Sequence, residues 1–127
     1  MRLIDTSAWI EFLRDTSIGQ KVKQLLPAES EWLVPSIVQL ELAKWAMREG
    51  DEERVDGVIA KTTMCVVVAL DTDLAIAAAE VWRKHKLPTA DAVVYATARS
   101  HNADLVTCDS HFDGLDSVIY VPKGKQT

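Results

Sequence analysis

Short apolar runs alternate with longer amphipathic stretches along the chain. Leu3-Ile4, closed by Asp5, predicts a very short buried strand. Trp9, Ile10, Phe12 and Leu13 then follow helical spacing, with Ser7 standing where an N-cap is expected. A second helix is expected from about Ser17: Ser17-x-x-Gln20 resembles a capping box, Ile18, Val22, Leu25 and Leu26 share a face, and Pro27 ends it. Glu31-Trp-Leu-Val34 predicts the next strand. Pro35-Ser36-x-x-Gln39 opens a helix bearing Leu40, Leu42, Trp45 and Met47, and Gly50 ends it as a C′ glycine does.

Asp51 to Ala60 predicts a short charged helix with Val55, Val58 and Ile59 inward. Met64 to Val68 is a continuous apolar run, the type buried on both faces of a parallel sheet. Asp71 or Thr72 caps a long Ala-rich helix ending near His85, and Pro88-Thr89 starts another with Ala92, Val93, Ala96 and Thr97 on one side. Asp104-Leu-Val-Thr107 and Ser117-Val-Ile-Tyr-Val121 supply two further strands, and residues 122–127 form a polar tail. Strands regularly separated by helices imply right-handed crossovers and a parallel sheet covered on both faces, an α/β class.

With 127 residues the chain has the length of one domain, and no linker or repeat divides it. Hydrophobic residues at 48% and charged residues at 26% exclude disordered and collagen-like classes. Fourteen Lys and Arg against nineteen Asp and Glu give a net charge of −5, which argues against holding nucleic acid by bulk positive charge. A few carboxylates gathered around metal ions would give the same sign. Cys65 and Cys108 form no CxxC pair or disulfide framework, which fits a reduced cytosol. The opening residues have no signal-peptide h-region, and no apolar run approaches the ~20 residues that span a bilayer, so a cytoplasmic protein without membrane attachment is expected.

The common nucleotide and nucleophile signatures are missing: no P-loop, no GxGxxG, no GxSxG. His85, His101 and His111 lack ligand spacing and are read as surface or helix-end residues. The carboxylates say more. Asp5 and Asp109 each follow an apolar run, at the strand ends where open parallel sheets bind ligands; they equally suit turns or helix caps. Glu41 has Ile37, Val38, Lys44 and Trp45 as its helical neighbours, so its charge needs a partner, Lys44 or a metal. Asp91 lies in a first helical turn, where any protein favours an acid, but among small and apolar residues that face inward.

Four segments together resemble the PIN-domain ribonucleases, and most closely the VapC toxins of toxin–antitoxin pairs. They are Asp5-Thr-Ser-Ala-Trp-Ile-Glu11, Pro35-Ser-Ile-Val-Gln-Leu-Glu-Leu42, Pro88-Thr-Ala-Asp-Ala-Val-Val-Tyr-Ala-Thr-Ala98 and Asp104-Leu-Val-Thr-Cys-Asp-Ser-His-Phe112. The resemblance implies a three-layer α/β/α sandwich with a short, mainly parallel central sheet, formed by residues 1–127 as a single domain. It also implies an acidic pocket of Asp5, Glu41, Asp91 and Asp109. Asp113 falls where some members have a further acid, Thr107 matches a hydroxyl that helps hold the site, and Thr6 or Ser7 would do likewise.

Such a cluster cannot stay ionised without cations, and Mg²⁺ or Mn²⁺ suits an all-carboxylate site where Zn²⁺ would want His or Cys. The implied activity is metal-dependent hydrolysis of RNA by water. Asp5, Asp91 and Asp109 would hold the metal, with Glu41 binding directly or through water. A VapB-like antitoxin and a homodimer are the implied partners, with the stretch from Ser17 to Gly57 supplying one of those surfaces. Arg14, Lys44 and Arg48 are candidates for RNA contact, equally for solvated helix charge or antitoxin contact. Removing Asp5, Glu41, Asp91, Asp109 and Asp113 from the nineteen acids leaves fourteen, matching the bases. Two alternatives stay open: a PIN-fold module that binds RNA or protein without cleaving, and a phosphoacceptor receiver domain. The receiver reading uses Asp71 and Thr107 but lacks paired acids after the first strand and a suitably placed lysine.

Overall fold

The computed structural model describes residues 1–50 and 52–123. Asp51, where one helix was expected to begin, and residues 124–127 of the polar tail lie outside them. Five strands form one parallel sheet in the order β3-β2-β1-β4-β5. They are β1 (Arg2–Ile4), β2 (Trp32–Pro35), β3 (Val66–Val68), β4 (Asp104–Thr107) and β5 (Val118–Tyr120). The helices are α1 (Thr6–Leu13), α2 (Ser17–Gln24), α3 (Ser36–Glu49), α4 (Glu52–Thr63), α5 (Thr72–His85) and α6 (Thr89–Ser100).

The strand order explains the layering. The connections from β1 to β2 and from β2 to β3 step in one direction, so right-handed crossovers put α1 to α4 on one face. The chain then returns past β2 and β1 to β4, which puts α5 and α6 on the other. The result is a three-layer α/β/α sandwich. A receiver domain has the doubly wound order 2-1-3-4-5, so the receiver alternative is overturned by topology. Because neighbours are added on opposite sides of β1, the direction reverses between β1 and β4. That reversal opens a crevice beyond the carboxyl ends of these two strands.

The core explains why such short strands suffice. Leu3, Ile4, Leu33, Val34, Leu105 and Val106 are almost wholly buried, and Trp9 packs edge-on against Trp32 with centroids 5.3 Å apart. Every residue of α6 from Ala92 to Ala98 is buried, so this helix is enclosed on all sides over two turns and carries Asp91 inward at its start. Close approach needs Gly19: a Cβ there would lie 2.0 Å from the Glu11 carbonyl oxygen, so α2 packs directly on the backbone of α1. Among the described residues no helix is long and apolar enough to cross a membrane.

Several local expectations are corrected. Asp5, not Ser7, caps α1, its side chain accepting from the Ala8 amide. Thr16, not Ser17, caps α2. Gly50 closes α3 with φ −160°, an extended backbone rather than the left-handed one of a C′ glycine. The run from Met64 to Val68 is not doubly buried: β3 is an edge strand with Val66 37% and Val67 42% exposed, and Met64 lies in the preceding turn. An apolar run alone does not distinguish a central strand from an edge. Leu40, Met47 and Trp82 are exposed, whereas Trp9, Trp32 and Trp45 are core.

Candidate active site

Three of the four acids sit where a strand end or loop meets the start of a helical turn. Asp5 follows β1, and its amide donates to the Val106 carbonyl, which extends the pairing with β4 by one residue. Its Oδ1 accepts from Ser7 Oγ at 2.6 Å and the Ala8 amide at 3.2 Å, and its Oδ2 accepts from Thr107 Oγ1 at 2.7 Å. Only 5% of Asp5 is exposed. Burial therefore pushes its carboxyl up to about 6, against the opposing pull of the Ser7, Thr107 and Ala8 hydrogen bonds, and nearby Asp109 adds to the rise.

Thr107, fully buried at the end of β4, links two acids. Its hydroxyl donates to Asp5 and accepts from the Asp109 amide at 2.9 Å. Ser7 Oγ lies 3.5 Å from Thr107 Oγ1 and accepts from the Cys108 amide at 3.0 Å. Asp109 then caps a 3-10 turn, Ser110–Phe112, through a 2.9 Å bond from the His111 amide to its Oδ1. Asp91 enters from α6 on the far layer. Burial raises its carboxyl above the ordinary value, opposed by a hydrogen bond with His111, while Asp109 and Glu41 raise it further. Glu41 projects from α3, and its Oε1 accepts from Thr6 Oγ1 at 2.7 Å. The partner of this half-buried carboxylate is thus a hydroxyl; among the described residues no ion pair joins it to Lys44.

The arrangement separates the sequence candidates. Asp91 and Asp109 come together with His111, one ligand-type atom of each within 4.8 Å of the others. Asp5 joins them through Thr107, and Glu41 faces Asp91 closely enough to oppose its ionisation. Asp113 ends the 3-10 turn and is exposed, outside the cluster of three. Arg14, Lys44 and Arg48 are all exposed. Arg14 lies nine residues beyond Asp5 along α1, roughly 13 Å at the helical rise, in a depression with Trp45, Glu49 and Val58. Lys44 and Arg48 lie one and two turns beyond Glu41.

His111 is a surface residue, as its lack of ligand spacing predicts, yet it borders the site, 2.9 Å from Asp91 Oδ2. No ligand spacing marks it; the available signal was its place two residues after a strand-end acid. Carboxylate oxygens with an imidazole nitrogen nearby are donors that a divalent cation accepts, so the residues present fit a metal site.

The PIN domain family model matches residues 2–118. The chain belongs to the PIN domain family. A search of curated proteins finds no significant match. Among solved structures, a toxin–antitoxin complex from Klebsiella pneumoniae is similar at 19% identity and TM-score 0.82, covering 94% of this chain and 96% of that one. DNA-bound VapBC from Salmonella typhimurium is similar at 18% identity and TM-score 0.74, covering 94% and 97%. The Mycobacterium tuberculosis toxin VapC20, described as cleaving the sarcin–ricin loop, is similar at 21% identity and TM-score 0.69, covering 92% of each chain. At these identities the likeness establishes the PIN fold.

Proposed function

We propose that this PIN-domain protein is a VapC-type toxin: a divalent-metal-dependent endoribonuclease acting in the cytoplasm and restrained by a VapB-like antitoxin. The observation that carries the reading is the convergence of Asp5, Glu41, Asp91 and Asp109, from both helical layers and the strand ends, on the crevice between β1 and β4. Similar folds occur in toxin–antitoxin complexes, which supports the antitoxin partner, and a homodimer belongs to the same reading.

Asp91 and Asp109 would hold the ion, with Asp5 alongside and Glu41 ligating directly or through water; Asp113 is kept only as a further acid at the rim. A divalent ion bound there supplies Lewis acidity for phosphodiester hydrolysis. The other tasks fall to side chains of this chain. Thr107 and Ser7 fix both oxygens of Asp5, so the carboxylate does not rotate as substrate enters. Thr6 fixes one oxygen of Glu41, leaving the other to orient an attacking water. No covalent intermediate is invoked, since neither Ser7 nor Cys108 is paired with a histidine base: Ser7 donates to Asp5 and Cys108 is buried with its thiol pushed up to about 11. Arg14, Lys44 and Arg48 are the cations we assign to RNA approach, at a distance from the chemistry.

The test is incubation of the purified protein with total cellular RNA and Mn²⁺, beside an Asp5→Ala control. Discrete products formed by the wild type alone, and stopped by EDTA, are expected. RNA retained but uncut under all these conditions would favour a binding module and refute the nuclease reading.

A further inference from the structure

His111 is the one member of the cluster that is not an acid, and its own ring is not packed into the core. Its side chain is 56% exposed, yet Nδ1 lies 2.9 Å from Asp91 Oδ2 and 3.4 Å from Asp109 Oδ1. The backbone holds it there. Phe112, the next residue, is fully buried and pins the 3-10 turn, while the His111 amide donates to Asp109 Oδ1. The ring is thus tied to one acid through its side chain and to the other through its main chain.

These separations suit ligands of a single ion. Donor atoms on adjacent corners of an octahedron with bonds of ~2.1 Å stand about 3.0 Å apart. We propose that His111 is a nitrogen ligand of the divalent-metal site and biases it toward transition-metal ions, Mn²⁺ and more strongly Co²⁺, over Mg²⁺. The inference rests on the metal-site reading above and refines it from an all-carboxylate set to a mixed one. The chemistry is differential. Mg²⁺ takes oxygen ligands and keeps its waters, so an imidazole adds little to its affinity. Transition ions gain from imidazole nitrogen, increasingly along the series from Mn²⁺ to Co²⁺ and beyond. His111 therefore acts as a specificity-determining ligand for the ion rather than for RNA.

The experiment titrates wild type, His111→Ala and Asp91→Asn calorimetrically with CoCl₂ and with MgCl₂, without RNA. His111→Ala is expected to weaken Co²⁺ binding by roughly tenfold or more, on the scale of losing one ligand's support. Its Mg²⁺ affinity should stay within about twofold of wild type. Asp91→Asn should weaken both ions. Proton NMR gives a second readout: Co²⁺ should shift one histidine ring in the wild type paramagnetically and none in His111→Ala. If both ions bind and His111→Ala leaves the Co²⁺ affinity unchanged, this inference is overturned while the metal site stands. If the wild type binds neither ion, both fall.

Discussion

Replacing Asp5 by Asn should make the metal-free protein more stable, by an amount that depends on pH in a defined direction. Burial lifts the Asp5 carboxyl from 3.8 to about 6. At about 1.4 kcal/mol per pH unit, keeping Asp5 ionised costs the folded state roughly 3 kcal/mol at neutral pH. Asn keeps an oxygen for Ser7 Oγ and the Ala8 amide. Its amide nitrogen then meets Thr107 Oγ1, which must accept where it now donates. Allowing for that adjustment, the expected net gain is about 1–2 kcal/mol at pH 7.5, or about 4–8 °C in Tm.

The sign follows from the raised value. Protonated Asp5 is favoured on folding, so its contribution is fully present below 3.8 and is lost as pH climbs through about 6. The advantage of Asn should therefore be small near pH 4, grow to pH 6, and level off above. Thermal unfolding of both proteins in EDTA, from pH 4 to 8, reads this directly. Excess Mn²⁺ should then stabilise the wild type alone, by mass action on the folded state. A difference that stays flat or shrinks as pH rises would refute the reasoning.

Other substitutions probe separate parts of the molecule. Thr107→Val strips the hydroxyl that joins Asp5 to the Asp109 amide and should cost about 1–3 kcal/mol in urea unfolding, together with most RNA cleavage. Stability unchanged within error would show that the bridge is dispensable. Asp91→Asn should abolish cleavage while circular dichroism stays near wild type and Tm does not fall, because an amide suits the partly buried position of Asp91 but cannot balance a cation; sustained turnover would sink the site assignment. Gly19→Ala places a methyl against the Glu11 carbonyl and must part α2 from α1, costing about 1–3 kcal/mol or more in thermal melts.

The sequence made the frame legible because its signals were periodic. Strand β4 was expected over Asp104–Thr107 and lies there, and α5 is capped by Asp71 as one reading had it. Signals of one or two residues were weaker. Ser7 is a better cap former on general grounds than its context allows, since the chain turns one residue after β1 and leaves Asp5 at the capping position. The apolar β3 run predicts a central strand because apolar content does not encode strand order; the return crossover to β4 leaves it at the edge. His111 was invisible for a related reason. Its meaning depends on α6 bringing Asp91 across from the other layer, twenty residues away in the chain.

The helix-cap reading of the acids and the proposed metal-ligand reading are compatible with one geometry. Asp5 is the N-cap of α1, Asp91 lies in the first turn of α6, and Asp109 caps the 3-10 turn. An N-terminal position supplies amide donors and a favourable dipole for a negative charge, which offsets part of the repulsion that gathering acids creates. Sheet topology brings such positions together, since each right-handed crossover starts its helix at the carboxyl edge. Glu41 is the exception that tests this account. It sits in the second turn of α3, beyond the reach of free amides, so its donor is a side chain from another element, Thr6 of α1. Thr6→Val should accordingly lower activity while leaving the network around Asp5 in place. A loss of cleavage matched by Glu41→Gln, with unchanged metal affinity, would place Glu41 at the water rather than on the ion.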